Sequence, residues 1–111
     1  LEVDIPEGLP SAIDFLHKKI KPIVSITTLG SFGMWVHTPS EGVIHTHIPC
    51  RPTNIIDVSG AGDTVIATAA LMLASGASPI HIAETANIAG GLVCEKSGVV
   101  TVDLNTLLSE I

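Results

Sequence analysis

Apolar and polar residues alternate with two different spacings in the first half of the chain. In residues 9–20 apolar side chains recur every three or four positions, lysines gather at the end and Pro22 follows, which predicts an amphipathic helix. A glycine-rich turn at residues 30–33 and a polar hairpin at residues 38–42 then separate short apolar or alternating runs. These runs predict three strands of a sheet with mixed strand directions: residues 23–28, 34–37 and 43–48.

Helical spacing dominates the second half. After a loop with two prolines, residues 60–75 predict the entry and body of a long apolar helix. Serine and proline at residues 78–79 are typical of a helix start, and this second helix should end before Gly98. Residues 99–102 predict a short extended piece, and Asp103 is placed to cap a last helix. The pattern as a whole indicates an α/β protein.

The apolar run at residues 65–74 decides between a membrane segment and a core helix. It is ten residues long, about half of the roughly 20 that a membrane helix needs, so we expect a buried helix and no membrane partner. Residues 1–10 lack the basic start and apolar run of a signal peptide. Because the chain starts at Leu1 without a methionine, we expect the natural protein to be longer.

Composition narrows the partners. The net charge is −6 with only five lysines and arginines, which argues against a nucleic-acid surface and favours a small-molecule partner. Cys50 and Cys94 have no zinc-knuckle or redox-pair spacing, so we interpret them as inert thiols in a reducing cytoplasm.

The loop that enters the long helix carries the candidate chemistry. Backbone N–H groups at Gly60, Ala61 and Gly62 are unpaired donors of a helix N-terminus, and small residues let an anion approach them closely. Asp63 follows in the first turn, where the helix dipole favours a carboxylate able to accept a proton from a hydroxyl. Phosphoryl transfer needs both functions. For these four residues alone, the plainer alternative is favoured: the glycines relax a tight turn and Asp63 caps the helix.

Longer strings change that balance. Residues 57–64, DVSGAGDT, closely resemble the D-[TV]-[TS]-G-A-G-D-[TS] pattern of the ribokinase-like (PfkB) sugar kinases. Residues 26–34 resemble the T-x-G-x-x-G turn of that family, and residues 86–91 resemble its adenine-side helix. The three strings occur in family order and cover nearly the whole chain. Within the family, residues 58–66 and 96–102 are most similar to bacterial heptose-phosphate kinases of lipopolysaccharide-core synthesis.

The resemblance implies a fold and an activity. The fold would be the ribokinase-like three-layer α/β/α sandwich, with residues 1–111 as the C-terminal nucleotide-binding and catalytic part of one kinase domain. The cytoplasmic enzyme would use ATP and Mg²⁺ to phosphorylate a hydroxyl of a sugar or sugar phosphate, heptose 7-phosphate being the finer prediction. Sugar recognition, the lid and the acidic motif for Mg²⁺ would lie outside this chain, so these residues alone should be inactive and should aggregate or form a homodimer. The alternatives are a non-catalytic nucleotide-binding module and a degenerate family member.

Residue roles carry over position by position. Asp63 would be the general base, and the N–H groups of residues 60–63 would form the anion hole. Three residues of the glycine turn would border the nucleotide: Thr28, Gly30 and Gly33. Asn87 would reach the adenosine side of the nucleotide. A K⁺ ion would be held largely through carbonyl oxygens by five residues: Asp57, Ser59, Val93, Lys96 and Gly98. The plainer interpretations are a locally hydrogen-bonded polar side chain for Asn87 and a turn-capping aspartate for Asp57.

Several other residues are weighed and set aside. His45 and His47 should share a strand face, but no cysteine or acid at ligand spacing joins them, so no metal site is predicted. Trp35 should cover sheet surface and Arg51 should be a solvated loop residue. The remaining histidines are interpreted as isolated surface or satisfied side chains: His17, His37 and His81.

Overall fold

The computed structural model describes residues 7–38, 45–51 and 54–111. The chain divides into two compact units, Leu1–Pro49 and Cys50–Ile111. The first unit combines one helix with a small sheet, and the second is helical. No helix in these ranges combines the length and the hydropathy that a membrane span needs.

Helix α1 of the first unit has the predicted bounds, Leu9–Ile20. Pro10 lies in its first turn, where a missing N–H costs nothing, and Lys21 ends it in the left-handed conformation, with φ +54°. Ile13 and His17 face inward and are buried, whereas Phe15 and Leu16 are exposed. The apolar spacing therefore predicts the helix, but it does not identify the buried face, because Leu16 and Ile20 of that pattern are exposed.

Strands β1 (Ser25–Thr28), β2 (Met34–His37) and β3 (His45–Ile48) form one sheet in the order β1-β2-β3. A short 3₁₀ turn, Gly30–Phe32, joins the first two. Both strand pairs are antiparallel, so the prediction of a mixed sheet is wrong for these strands: connections this short cannot return a chain for parallel pairing. Strand β1 starts at Ser25, two residues later than predicted, and Ile23 before it is exposed. The predicted hairpin at residues 38–42 and the predicted strand start at residues 43–44 lie largely outside the described residues.

Helices α2 (Ala61–Ala74), α3 (Pro79–Cys94) and α4 (Leu104–Glu110) form the second unit. The Ser78 hydroxyl accepts a hydrogen bond from the His81 N–H, and the Asp103 carboxylate accepts one from the Thr106 N–H, as the predicted caps require. Residues 99–102 join no sheet among the described strands. The predicted helices are therefore confirmed, while the predicted extended piece is a connection.

Helix α2 departs from the prediction of a buried helix. None of its residues is buried, and Ile66 and Leu71 are 69% and 71% exposed. The core of this unit lies along α3, whose buried face includes Ile82, Ala86 and Val93. Hydropathy alone predicted burial on all sides, but α3 covers only one side of α2. The apolar composition of α2 therefore leaves an uncovered surface.

Candidate functional site

The turn before α2 is built around Gly60. This residue is the N-cap of the helix and adopts a left-handed conformation, with φ +78°. A Cβ atom at Gly60 would lie 3.2 Å from Cγ1 of Val99. Both the backbone conformation and the neighbouring side chain therefore favour glycine at this position.

Three backbone donors at this turn are unpaired. The Ala61 N–H donates to the Val58 carbonyl at 3.2 Å, and the Thr64 N–H makes the first helical bond, to Gly60, at 3.0 Å. Within the described part of the chain, the N–H groups of Gly60, Gly62 and Asp63 have no partner. They stand at the positive end of the α2 dipole, which is the usual environment of a bound anion. Of the four predicted donors, only Ala61 already has an acceptor.

Gly62 and Asp63 do not play the structural roles of the plainer alternative. Gly62 lies inside α2, its φ is not positive, and an added Cβ would meet no atom within 4 Å. Asp63 is exposed in the first turn, and α2 has no side-chain cap. Among the described residues no hydrogen bond reaches the Asp63 carboxylate. The turn therefore explains Gly60, but neither Gly62 nor Asp63.

Asp57 ties this turn to the segment after α3. Its Oδ1 atom accepts hydrogen bonds from the Ser59 N–H at 2.9 Å and from the Ser59 hydroxyl at 2.7 Å. Its Oδ2 atom accepts one from the Gly98 N–H at 2.9 Å. These bonds, led by the Ser59 hydroxyl, hold the pKa of the Asp57 carboxyl below its usual value. Three of the five predicted cation ligands are thus directly linked.

The other two predicted cation ligands, Val93 and Lys96, are joined by a hydrogen bond from the Lys96 N–H to the Val93 carbonyl at 3.2 Å. Between them, the Cys94 carbonyl accepts bonds from the N–H groups of Ile56 and Asp57, at 2.8 and 3.1 Å. The end of α3 therefore anchors the segment at residues 56–57, which leads into the turn. Cation binding by these residues stays a prediction.

The predicted nucleotide residues are distributed over both units. In the first unit, Thr28 ends β1, while Gly30 and Gly33 take positive φ angles of +58° and +91° around the 3₁₀ turn. The Leu29 N–H donates to the Gly33 carbonyl at 2.8 Å and closes that turn. In the second unit, Asn87 lies half-buried in the middle of α3. Their contacts with a nucleotide stay predictions.

Comparison with known proteins decides the family. The model of the pfkB family carbohydrate kinases matches residues 4–106, nearly the whole chain. The chain belongs to this family. The family predicted from the three sequence strings is therefore confirmed.

Curated relatives are named as bifunctional proteins. The chain is 48% identical over 81 residues to the bifunctional protein HldE of a Caulobacter species, covering 71% of this chain and 16% of that protein. It is 51% identical over 73 residues to the bifunctional protein HldE of Mesorhizobium japonicum, covering 66% of this chain and 14% of that protein. The chain thus spans about one-sixth of the length of these relatives.

Solved structures share the fold. A ribokinase from Cryptococcus neoformans in complex with ADP matches 97% of this chain and 37% of its own length, at 25% identity and a TM-score of 0.79. Phosphofructokinase-2 from Escherichia coli in complex with potassium matches 97% of this chain and 34% of its own, at 18% identity and a TM-score of 0.82. The ribokinase-like α/β fold is therefore confirmed, and the chain corresponds to about a third of it.

Charged and thiol groups near the PfkB motif in sequence are otherwise engaged or unreactive. Nη2 of Arg51 lies 2.5 Å from Oε2 of Glu110, and the two side chains are 29% and 37% exposed, so this loop guanidinium is partly solvated and also ion-paired. Cys94 is buried; burial first, then the neighbouring Cys50 and Asp57, raises the pKa of its thiol. A raised pKa disfavours the reactive thiolate, in keeping with an inert thiol.

The prediction of isolated histidines is wrong in the first unit. His17 and His37 are buried and their ring centroids lie 3.9 Å apart, while His37 and His45 lie 4.5 Å apart. An acid also joins them: Oδ1 of Asp14 lies 3.3 Å from Nε2 of His45. Sequence reasoning paired His45 with His47 along one strand and missed a partner 31 residues away on α1. No local spacing signals this contact, because Asp14 meets the two histidines through tertiary packing.

Proposed function

We propose that this chain is the nucleotide-binding and catalytic part of an enzyme that transfers the γ-phosphoryl group of ATP to a hydroxyl of a sugar or sugar phosphate. One observation supports it above the others. Among the described residues, the N–H groups of Gly60, Gly62 and Asp63 have no partner at this helix start, and the Asp63 carboxylate in the same helical turn accepts no hydrogen bond. An anion site and a base for a hydroxyl are what phosphoryl transfer requires of a protein.

The proposed step assigns one task to each group. The Asp63 carboxylate accepts the proton of the acceptor hydroxyl, whose oxygen forms a bond to the γ-phosphorus while the bond from that phosphorus to the β,γ-bridging oxygen breaks. The backbone N–H groups and the α2 dipole stabilise the charge on the transferring group. Residues 57–64 contain no lysine or arginine, so further positive charge has to come with the nucleotide. Mg²⁺ bound to ATP would supply it.

The remaining family roles belong to the same proposal. Thr28, Gly30 and Gly33 contact the nucleotide, and Asn87 reaches its adenosine side. Backbone carbonyl oxygens near the Asp57 carboxylate hold a K⁺ ion. The solved relatives include one in complex with ADP and one with potassium, which supports these two ligand classes.

The acceptor class rests on the finer resemblance. Residues 58–66 and 96–102 are most similar to heptose-phosphate kinases, and the curated relatives at 48% and 51% identity are bifunctional proteins. We therefore propose a heptose 7-phosphate as the acceptor and the cytoplasm as the location. Residues 1–111 would form the C-terminal part of the kinase domain, with the sugar-binding part elsewhere.

The test is Asp63→Asn in the full-length protein that contains this chain. It should leave ATP affinity nearly intact and remove most turnover with a heptose 7-phosphate, because only the proton acceptor is lost. Glu84→Gln, an exposed carboxylate on α3, is the matched control and should turn over normally. An Asp63→Asn enzyme with wild-type turnover would exclude Asp63 as the base.

A non-catalytic nucleotide-binding module is the second candidate, favoured by the short span of the chain relative to solved kinases. Turnover assays on the full-length protein would distinguish the two, because residues 1–111 alone are expected to be inactive under either candidate. The module is supported if residues 1–111 and the full-length protein both bind ATP and neither phosphorylates any sugar. Turnover by the full-length protein would leave the kinase as the function.

A further inference from the structure

The first unit brings three potential metal ligands together from three different elements. Asp14 lies on α1, and His37 on β2 is the direct register partner of His45 on β3. Among the described residues, these three form the group of histidine, cysteine and acidic side chains that is close enough to hold one metal ion, with one ligand atom from each within 4.8 Å of the others. We call Asp14, His37 and His45 the histidine cluster.

The distances within the histidine cluster bring its ligand atoms within reach of one ion. Oδ1 of Asp14 lies 3.3 Å from Nε2 of His45 and 3.8 Å from Nδ1 of His37. The Nδ1 atoms of the two histidines lie 3.4 Å apart. Zinc binds nitrogen and oxygen at about 2.0–2.2 Å, which separates tetrahedral ligands by roughly 3.4 Å. One ion can bind only one ring nitrogen of His45, so the 3.3 Å separation, through Nε2, and the 3.4 Å separation, through Nδ1, belong to alternative ligand sets. With one ligand atom from each residue, the three atoms lie within 4.8 Å of one another, so small side-chain shifts would bring them to the spacing of a bound ion.

The two histidines of the cluster are largely buried, whereas Asp14 is open to solvent. The side chains of His37 and His45 are 4% and 20% exposed, whereas that of Asp14 is 51% exposed. The His17 ring packs against His37, and Nε2 of His17 lies 2.5 Å from the Ser25 hydroxyl. The His17 ring therefore packs edge-on against the ring of His37 and restricts its orientation. An ion can enter from the side of Asp14 and keep a water there.

We propose that Asp14, His37 and His45 bind a divalent first-row transition metal, with Zn²⁺ as the expected ion. Two imidazoles and one carboxylate suit zinc and its neighbours, whereas Mg²⁺ prefers oxygen ligands throughout. The ion crosslinks α1 to the sheet of the first unit. This site uses none of the residues assigned to phosphoryl transfer, so its failure and the failure of the proposed function are independent.

Trp35 competes with the metal for His45. Its indole N–H donates to Nδ1 of His45 at 2.8 Å, which makes that nitrogen an acceptor and places the ring proton on Nε2, towards Asp14. If Nδ1 binds the ion, the indole has to release it. If Nε2 binds the ion, the ring proton moves to Nδ1 and the indole again loses its acceptor. Metal binding therefore breaks the Trp35 hydrogen bond in either case.

This competition predicts that substitutions of the ligands and of Trp35 change Zn²⁺ affinity in opposite directions. Calorimetry with Zn²⁺ on the metal-free full-length protein should show a binding event that His45→Gln or Asp14→Asn weakens at least tenfold. Trp35→Phe keeps an aromatic ring but removes the donor, and should tighten Zn²⁺ binding by about 2- to 10-fold, the equivalent of one net hydrogen bond. His81→Gln, an exposed histidine on α3, is the control and should bind as the wild type does.

Two further readouts complete the test. Co²⁺ should give the visible absorption of a nitrogen- and oxygen-ligated ion, and Zn²⁺ but not Mg²⁺ should raise the Tm of the wild type, because a ligand that binds only the folded state stabilises it. Circular dichroism checks that each variant is folded. Zn²⁺ binding that survives both His45→Gln and Asp14→Asn, or the absence of a Zn²⁺-dependent change in Tm, would overturn the proposal.

Discussion

Two glycines in one motif, Gly60 and Gly62, are glycine for different reasons. The left-handed φ and the nearby Val99 side chain require glycine at residue 60. Residue 62 is helical and surrounded by open space, so no contact in the described chain requires glycine there. A helical glycine normally costs about 0.5–1 kcal/mol relative to alanine. The space at Gly62 is therefore open to a ligand that approaches the backbone, as the proposed anion site requires.

Gly62→Ala and Gly62→Val should separate these two causes. We expect kcat to fall as the side chain grows, by on the order of 100- to 1000-fold for valine, because a phosphate loses close access to the backbone donors. The Tm should stay the same or rise. Kinetics and melting curves of the full-length protein test this, with Ala70→Val at an exposed position of the same helix as the control. A Gly62→Val enzyme that melts early yet turns over normally would make Gly62 structural.

Gly60→Ala should behave in the opposite way. The left-handed conformation costs a non-glycine residue roughly 1–2 kcal/mol, and the new Cβ would press on Val99. Chemical unfolding should therefore show a loss of stability of at least this size. Adding Val99→Ala should recover the stability that Gly60→Ala loses through the contact with Val99, while the loss caused by the left-handed φ should remain. An unchanged unfolding midpoint in Gly60→Ala would contradict the strained geometry.

The Asp57 carboxylate makes the turn sensitive to acid. Its pKa is lower in the folded chain than in the unfolded chain, so its stabilising contribution is present above about pH 4 and is lost as the pH falls through the lowered value. Urea unfolding as a function of pH should show this loss. Ser59→Ala removes the largest cause of the shift and should weaken the acid dependence. If the free energy of unfolding fell with pH in the same way in wild type and Ser59→Ala, the hydrogen bonds from Ser59 would not control the pKa of Asp57.

Among elements, helices were predicted well and strands less well. Caps at Ser78 and Asp103 are local signals, and the structure confirms both. The prediction of a mixed sheet was wrong for the described strands, although their short connections already favour antiparallel neighbours. The histidine cluster could not be predicted locally, because Asp14 joins His45 only through the packing of α1 on the sheet. The geometry of the turn at residues 57–63 is easier to anticipate because its residues are contiguous, while anion binding by this turn stays a prediction.

The contact between α2 and α3 depends on one glycine. A Cβ at Gly90 would lie 2.8 Å from Cγ2 of Val65, closer than real side chains come. Gly90→Ala should therefore destabilise the protein by about 1–3 kcal/mol through overpacking. Val65→Ala in the same chain should remove much of that loss, and a double-mutant cycle by urea unfolding measures the coupling. Additive effects of the two substitutions would show that the helices separate without cost.

At the scale of the whole molecule, the uncovered face of α2 predicts self-association. Ile66 and Leu71 are mostly exposed, as is Val58 before the helix. Residues 1–111 made alone should therefore aggregate or dimerise in size-exclusion chromatography. Ile66→Lys with Leu71→Lys should shift the chain towards a monomer, whereas Ser11→Lys, at an exposed polar position, should not. A wild-type chain that elutes as a monomer and melts cooperatively would contradict this prediction.

The hydrogen bond from the Gly98 N–H to Asp57 makes this amide a reporter for a turn that lies 41 residues earlier in the sequence. Amide protons exchange with solvent when their acceptor is lost, and partial opening shows as faster exchange at that position. The deuterium uptake of Gly98 therefore measures how often the turn that contains Asp57 opens, and the measurement needs no substrate and no assay of turnover. A phosphate compound that orders the turn would slow this one exchange rate, even in a variant that has lost the catalytic base.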